Sequence, residues 1–376
     1  MVYDRGGARA LSDAGLLNAK PFINPLPPPD TSKVKAETSQ GAAEPAPGFI
    51  PGTPEAGSAP SERAYGTFGI PYTSTRVMLG GSNQTLAVGQ SYLSSTSPYR
   101  KIGKLTFSAG YCSASVIRRG IIVTAAHCIQ KFGTGSSVYS NWQFTPGHYG
   151  AGASPTAQQL RPYGTWNWKA YVRPASWANG TDIGSGSARD NDIAVMALAK
   201  NDKNQFIGDL VGYFGYGWNN YSFVSSSKTG NLKVAATSTL GYPGLLDGGK
   251  IMQRADGPSY LTTISGAGQI WQGNNFTGGS SGGPWIVNFI SANATLSGGA
   301  VLGTAATPAV IGVTSWGSSD PNAPKDNYSS QFRQNTRYPN ADYGGRGAGN
   351  TGSLINTLCS AQAGGGQTFA QAGYCG

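Results

Sequence analysis

Gly120-Ile121-Ile122-Val123-Thr124-Ala125-Ala126-His127-Cys128 is an uncharged, β-branched run that ends on a histidine beside a cysteine. Ile and Val crowd a helix but pack well on a pleated surface, so the run reads as a buried strand that delivers His127 at its end. The same texture recurs outward from it. Leu105-Thr106-Phe107, Ile193-Ala194-Val195-Met196 and Ala309-Val310-Ile311-Gly312-Val313 are short apolar segments bounded by Gly, Asn, Ser and Pro clusters. Such spacing predicts the strands of an all-β antiparallel barrel or sandwich. Charged residues are only 12% of the 376, against roughly 25% in an average soluble domain, whereas glycine reaches 56 residues and aromatics 11%. That balance excludes coiled coils and long salt-bridged helices, and the aromatics supply buried area that a disordered chain lacks.

Residues 1–63 differ. Pro-Leu-Pro-Pro-Pro at 25–29, Glu44-Pro45-Ala46-Pro47 and then Pro51, Pro54 and Pro60 leave room for little beyond a short helix around Ala8 to Leu17. The segment reads as a largely disordered leader or propeptide, with the folded part over residues 64–376. The leader is close to neutral, so the excess behind the formal charge of +10 belongs to the folded part. Between Asp256 and Asp320 no residue is charged, yet Ser, Thr, Asn, Gln and Gly interrupt the stretch too often for a membrane span. Met1 to Leu26 offers no basic start followed by an apolar block, so a secretory signal is not evident and export requires an upstream start or another route. Cys112, Cys128, Cys359 and Cys375 form two close pairs without zinc-like spacing. Two local disulfides in a secreted protein are the economical reading, with four buried thiols in a cytosolic protein as the alternative.

The chain has two histidines, so chemistry that needs an imidazole has two candidates. His148, in Pro146-Gly147-His148-Tyr149-Gly150, sits in turn-like sequence and is expected in an exposed loop. His127 is the functional candidate. Arg189-Asp190-Asn191-Asp192-Ile193-Ala194-Val195 places a carboxylate at the mouth of an apolar strand, where a buried Asp192 needs compensation and a histidine N–H is a suitable partner. Taken alone, that motif also fits a strand-capping Asp. Thr277-Gly278-Gly279-Ser280-Ser281-Gly282-Gly283-Pro284-Trp285 surrounds a serine with glycines, which let backbone N–H groups turn toward one point beside the Ser281 hydroxyl.

The order His127, Asp192, Ser281, followed by Val313-Thr314-Ser315-Trp316-Gly317, resembles the chymotrypsin/trypsin family of serine endopeptidases over roughly residues 66 to 340. Pro98-Tyr99-Arg100-Lys101-Ile102-Gly103-Lys104-Leu105, Cys112-Ser113-Ala114-Ser115-Val116-Ile117 and Gly241-Tyr242-Pro243-Gly244 are similar to the bacterial-type branch that includes glutamyl endopeptidases. The resemblance implies two antiparallel β-barrels, about 66–200 and 205–340, with the active site in the cleft between them; composition and the last cysteine pair add a Gly-rich, disulfide-closed tail at 341–376. It implies a catalytic triad of His127, Asp192 and Ser281, an oxyanion hole from the N–H groups of Gly279 and Ser281, and substrate binding by Asn275, Thr314, Ser315, Trp316 and Gly317. The reaction needs no metal and no organic cofactor. The expected partners are protein or peptide substrates of a secreted monomer, without nucleic acid.

Three departures from the family stand out. Ser280 occupies the place where animal digestive members carry Asp, so activation by a newly freed N-terminal ammonium is not expected. Of the family's bridges only Cys112–Cys128 is matched by position, with Cys359–Cys375 expected as a second, local one. The long interval from His127 to Asp192 suggests surface insertions containing Trp166, Trp168 and Trp177. Two rival readings are a catalytically inactive protease-fold binding protein, which would normally have lost part of the triad, and an anionic-polymer binder, which the scattered basic residues do not favour. Six Asn-x-Ser/Thr sequons, at Asn83, Asn179, Asn220, Asn275, Asn293 and Asn327, are unremarkable in so Asn- and Ser-rich a chain. Glutamate occurs only at Glu37, Glu44, Glu55 and Glu62. A Glu-directed enzyme could therefore clip its own leader and find nothing further to cut, although Thr314 stands where glutamyl endopeptidases place a substrate-reading histidine. Broad or small-apolar preference, with cleavage after Arg63 by another enzyme, is the other expectation.

Overall fold

The structure is a computed structural model that describes residues 46–53, 74–77, 93–150, 157–225, 227, 232–289, 302–305, 307–317 and 326–376. The helix expected around Ala8 to Leu17 and the sequons at Asn83 and Asn293 lie outside the described residues. Two short strands come first, β1 (Gly48–Ile50) and β2 (Thr75–Arg76). Six antiparallel strands then close into a barrel: β3 (Ile102–Phe107), β4 (Gly110–Arg118), β5 (Ile121–Thr124), β6 (Gln143–Pro146), β7 (Trp166–Val172) and β8 (Ala194–Leu198). They run in the order β3-β4-β5-β8-β7-β6, with β6 returning to β3.

β9 (Gly215–Trp218) and β10 (Val224–Ser225) follow. The second set is β11 (Lys233–Gly241), β12 (Gln253–Ile264), β13 (Ala267–Gly273), β14 (Pro284–Val287), β15 (Ala309–Gly317) and β16 (Asp326–Gln331). Its antiparallel ladder runs β15-β14-β11-β12-β13-β16, and β16 pairs again with β15, so this sheet also closes. β9 lies parallel on β15, β1 antiparallel on β9, and β2 antiparallel on β12. The molecule is therefore all-β with two six-stranded antiparallel barrels, and the four apolar segments picked out in the sequence fall in or across β3, β5, β8 and β15.

Burial explains why the central strands carry no alternation. Every residue of β5 and of β8 is buried, so both faces of each strand are apolar. Each such Ile, Leu or Val contributes roughly 1.5–3 kcal/mol by leaving water. Trp166 and Trp177 are not in surface insertions: Trp166 opens β7 and both are buried, and only Trp168 is exposed. The long interval before Asp192 thus contributes β6 and β7 to the barrel, while most of its other described residues lie outside strands. Within the tail, Gly349–Ser360 forms a helix that packs on β7 and β8 through Leu354, Ile355 and Leu358. Cys359 at its end is bonded to Cys375, and the Tyr374 carbonyl accepts from Gly120 N–H at the β4–β5 turn.

Candidate active site

After β5 the chain makes one 3-10 turn, Ala126–Cys128. Cys128 is bonded to Cys112 on β4, so the turn that carries His127 is stapled to the barrel wall. Closing a loop of this length stabilises by roughly 2–4 kcal/mol. The Trp142 indole N–H donates to the Cys128 carbonyl at 3.1 Å, and that of Trp177 to the Gln130 carbonyl at 2.8 Å. Held in this way, His127 donates its backbone N–H to Asp192 Oδ1 at 2.9 Å and places its ring Nδ1 2.7 Å from Oδ2. The Ser315 hydroxyl donates to the same Oδ2 at 2.6 Å.

Asp192 is 1% exposed. Burial alone would raise its carboxyl, but the charge of His127, the ring hydrogen bond, the Ser315 hydroxyl and the His127 backbone N–H outweigh it and hold the group below the usual carboxylate range. An ionised carboxylate only accepts, so Nδ1 carries the proton and Nε2 keeps its lone pair free. The segment before Asp192 is fixed from both sides. Asn191 donates its backbone N–H and its amide to Asp182, at 2.7 and 2.9 Å, and Asp190 Oδ1 accepts from Gly268 N–H and Arg333 at 2.8 and 2.9 Å.

The serine loop is set by backbone geometry. The Gly278 carbonyl accepts from Gly244 N–H at 2.7 Å, and the Ser280 carbonyl from Gly283 N–H at 2.8 Å. In a planar trans peptide the N–H points opposite to the C=O, so the N–H groups of Gly279 and Ser281 are turned away from these anchors. Among the described residues neither has an acceptor of its own. Gly279 and Gly282 have φ of +98° and +77°. A Cβ at Gly282 would sit 2.0 Å from Thr124 Oγ1, and one at Gly279 2.4 Å from the Tyr111 ring. Ser113, beside Cys112, clamps the loop to the first barrel: its N–H donates to the Ser281 carbonyl at 2.7 Å and its hydroxyl to the Gly279 carbonyl at 2.9 Å. Nothing in the sequence singles out Ser113, because the contact depends on how two segments more than a hundred residues apart are docked.

His127, Asp192, Gly279, Ser281 and Ser315 line one cavity of about 530 Å³, whose wall also carries Lys131 and Arg189. Among the described residues no hydrogen bond joins the Ser281 hydroxyl to His127, although both face this cavity. Of the other expected substrate-binding residues, Asn275, Thr314, Trp316 and Gly317 lie outside this cavity wall among the described residues. Thr314 is buried, accepting from the Trp285 indole N–H at 3.0 Å and donating to the Gly283 carbonyl at 3.2 Å. Trp316 stacks on Tyr328 with ring centroids 4.0 Å apart. Asn275 and Asn327 each hold a buried side-chain oxygen without a partner among the described residues, and Asn327 is 2% exposed, too enclosed for glycosylation. The ligand atoms of Cys112, His127 and Cys128 lie close together, but both sulfurs are spent in the disulfide and Nδ1 is engaged by Asp192, so these atoms do not form a metal site.

His148 is not in an exposed loop. Its ring is half-buried edge-on against Tyr242 and bonds the Leu160 carbonyl at 2.9 Å. Burial, and then the nearby charge of Lys104, lower its pKa to about 4.

A sequence profile described as Trypsin matches residues 89–334. The chain is 28% identical over 187 residues to the glutamyl endopeptidase of Bacillus licheniformis, an alignment covering 50% of this chain and 48% of that protein, so the match spans about half the relative's length. Among solved structures, the protease Anisep from Arthrobacter nicotinovorans aligns with a TM-score of 0.46 at 21% identity, over 62% of this chain and 91% of that one. A Glu endopeptidase structure aligns with a TM-score of 0.42 at 18% identity, over 69% and 92%.

Proposed function

This chain belongs to the trypsin family, and from that premise we propose that it is a serine endopeptidase that hydrolyses protein and peptide substrates through an acyl-enzyme, with His127, Asp192 and Ser281 as its triad. The observation that carries the reading is the His127–Asp192 pair at 2.7 Å, facing the same cavity as Ser281 and the two unpaired N–H groups. The Ser281 hydroxyl is a weak nucleophile, so His127 Nε2 takes its proton as Oγ attacks the carbonyl carbon. Negative charge developing on the substrate oxygen meets the N–H groups of Gly279 and Ser281. His127 then gives its proton to the leaving amine, and water repeats the sequence on the ester. Asp192 fixes the tautomer and stabilises the imidazolium, while the backbone of Ser315, Trp316 and Gly317 pairs with the substrate chain. The two disulfides fit action outside the cell, after removal of the leader near Glu62 or Arg63.

A second reading concerns specificity. Cleavage after glutamate is favoured by the confinement of glutamate to Glu37, Glu44, Glu55 and Glu62, and by the cations Lys131 and Arg189 in the cleft wall. Profiling on a peptide library, with Ser281→Ala as the blank, tests both readings. Cleavage absent from the blank supports the endopeptidase, and a profile without cuts after Glu eliminates the glutamate preference.

A further inference from the structure

A leader that ended at residue 63 would place Ala46–Thr53 outside the folded body, yet these residues are fitted to it. β1 pairs with β9 in antiparallel register, Gly48 opposite Trp218, Phe49 opposite Gly217 and Ile50 opposite Tyr216. Both ends of the ladder are extended by further bonds. The Asn219 amide donates to the Ala46 carbonyl at 3.0 Å. Thr53 N–H donates to the Tyr213 carbonyl, and Tyr213 N–H returns a bond to Thr53 Oγ1, both at 2.9 Å. Phe49 stacks on Tyr221 with centroids 5.1 Å apart.

The glycines show how closely the two surfaces are matched. A Cβ on Gly48 would lie 2.0 Å from the Trp218 ring, one on Gly52 2.1 Å from Gly215 N, and one on Gly215 2.5 Å from the Ile50 carbonyl. Contact this tight on both partners is the mark of a built interface rather than of a passing segment. β9 has β15 on one side, so without β1 its other edge would present unpaired N–H and C=O groups. Strand addition to such an edge is a recurrent way of holding a peptide: backbone bonds give affinity and side-chain pockets give register.

We propose that the edge of β9 is a receptor for the strand Ala46–Thr53, and that this segment stays bound to the folded body as a separate chain once the connection after Thr53 is cut. Glu55, Glu62 and Arg63 all lie C-terminal to the strand, so cleavage at any of them leaves it on the leader side. The processed protein is then a two-chain molecule in which part of the leader serves as a permanent edge strand.

The test forces the cut, and so does not depend on the hydrolytic reading. In full-length Ser281→Ala protein, residues 56–61 are replaced by the recognition sequence of a site-specific protease, and the chain is cut to completion with that protease. Under native size-exclusion chromatography and native mass spectrometry, the N-terminal fragment remains with the body at one to one. A Cβ forced into the Trp218 ring by Gly48→Val should weaken retention by about ten- to a hundredfold. Phe49→Ala, which removes the stack without a clash, weakens it less and guards against a folding defect in the first variant. A wild-type fragment that elutes away from the body overturns the proposal, as does a Gly48→Val fragment held as tightly as wild type.

Discussion

The two barrels each close with six strands but are filled differently. In the first, β5 and β8 bury Ile121, Ile122, Val123, Val195, Met196 and Leu198, and the polar pair of the site sits at their ends. In the second, hydroxyls and amides run through the buried interior: Thr239 donates to Gln272 at 3.0 Å, Asn274 to Gln272 at 2.9 Å, and Asn327 to Asn274 at 2.8 Å. The difference follows the chemistry each half supplies. A carboxylate hydrogen-bonded to an imidazole gains most in a dry, rigid setting where its partners are fixed in advance. The serine loop, which offers backbone N–H groups, is instead oriented by pinning its carbonyls, through the N–H groups of Gly244 and Gly283 and through Ser113 of the first barrel.

The most severe way to break the second half is Ser281→Ala, which should lower kcat/KM by about 10⁴–10⁶-fold with unchanged circular dichroism. The matching change in the first half is Asp192→Asn. It keeps the shape but removes the acceptor that fixes the Nδ1–H tautomer, and kcat should fall by about 10⁴-fold with a small change in KM. Because Asp192 is held below the usual carboxylate range, its contribution to stability is present above about pH 4 and is lost as pH falls through its folded value.

Stability changes sharpen the contrast at smaller scale. Replacing Cys112 and Cys128 together by Ser should cost roughly 2–4 kcal/mol in urea unfolding and loosen the His127 turn. Gln272→Leu in the second barrel orphans the Thr239 hydroxyl and the Asn274 amide, each at about 1–3 kcal/mol. Leucine introduced at an interior position of the first barrel, Met196→Leu, should cost less than about 1.5 kcal/mol. A pH-dependent effect comes from His148. With its folded pKa lowered to about 4 from 6.5, the unfolded chain takes up the proton first, so stability falls as pH drops from 6.5 toward 4 and levels off below. Urea melts of His148→Gln across that range should show a shallower slope.

The site residues of both halves were legible in sequence. His127, Asp192 and Ser281 stand out because imidazole and charge are scarce in this chain and the glycines around Ser281 have few other uses. Of the apolar segments quoted at the start, those on β5, β8 and β15 are continuous runs because both faces of the strand are buried, whereas β3 is buried on one side and partly exposed on the other. What stayed hidden depends on register between distant segments: the Ser113 clamp on the serine loop, the burial of Trp177 behind the His127 turn, and the half-buried setting of His148. Pairing of Ala46–Thr53 with β9 was hidden for another reason. Proline-rich flanks mask a strand whose partner lies more than 160 residues away. The tail helix is masked by its small residues, since only Leu354, Ile355 and Leu358 mark its buried side.

An organophosphorus fluoride reagent tests the central claim most directly, because it reacts with a serine only where a neighbouring base takes the proton and N–H donors stabilise the incoming oxygen. Peptide mapping of the treated wild-type protein should find one adduct per chain, on Ser281, and none in His127→Ala. No adduct, or an adduct on another residue, would contradict the assignment and leave the fold as a binding protein without the chemistry.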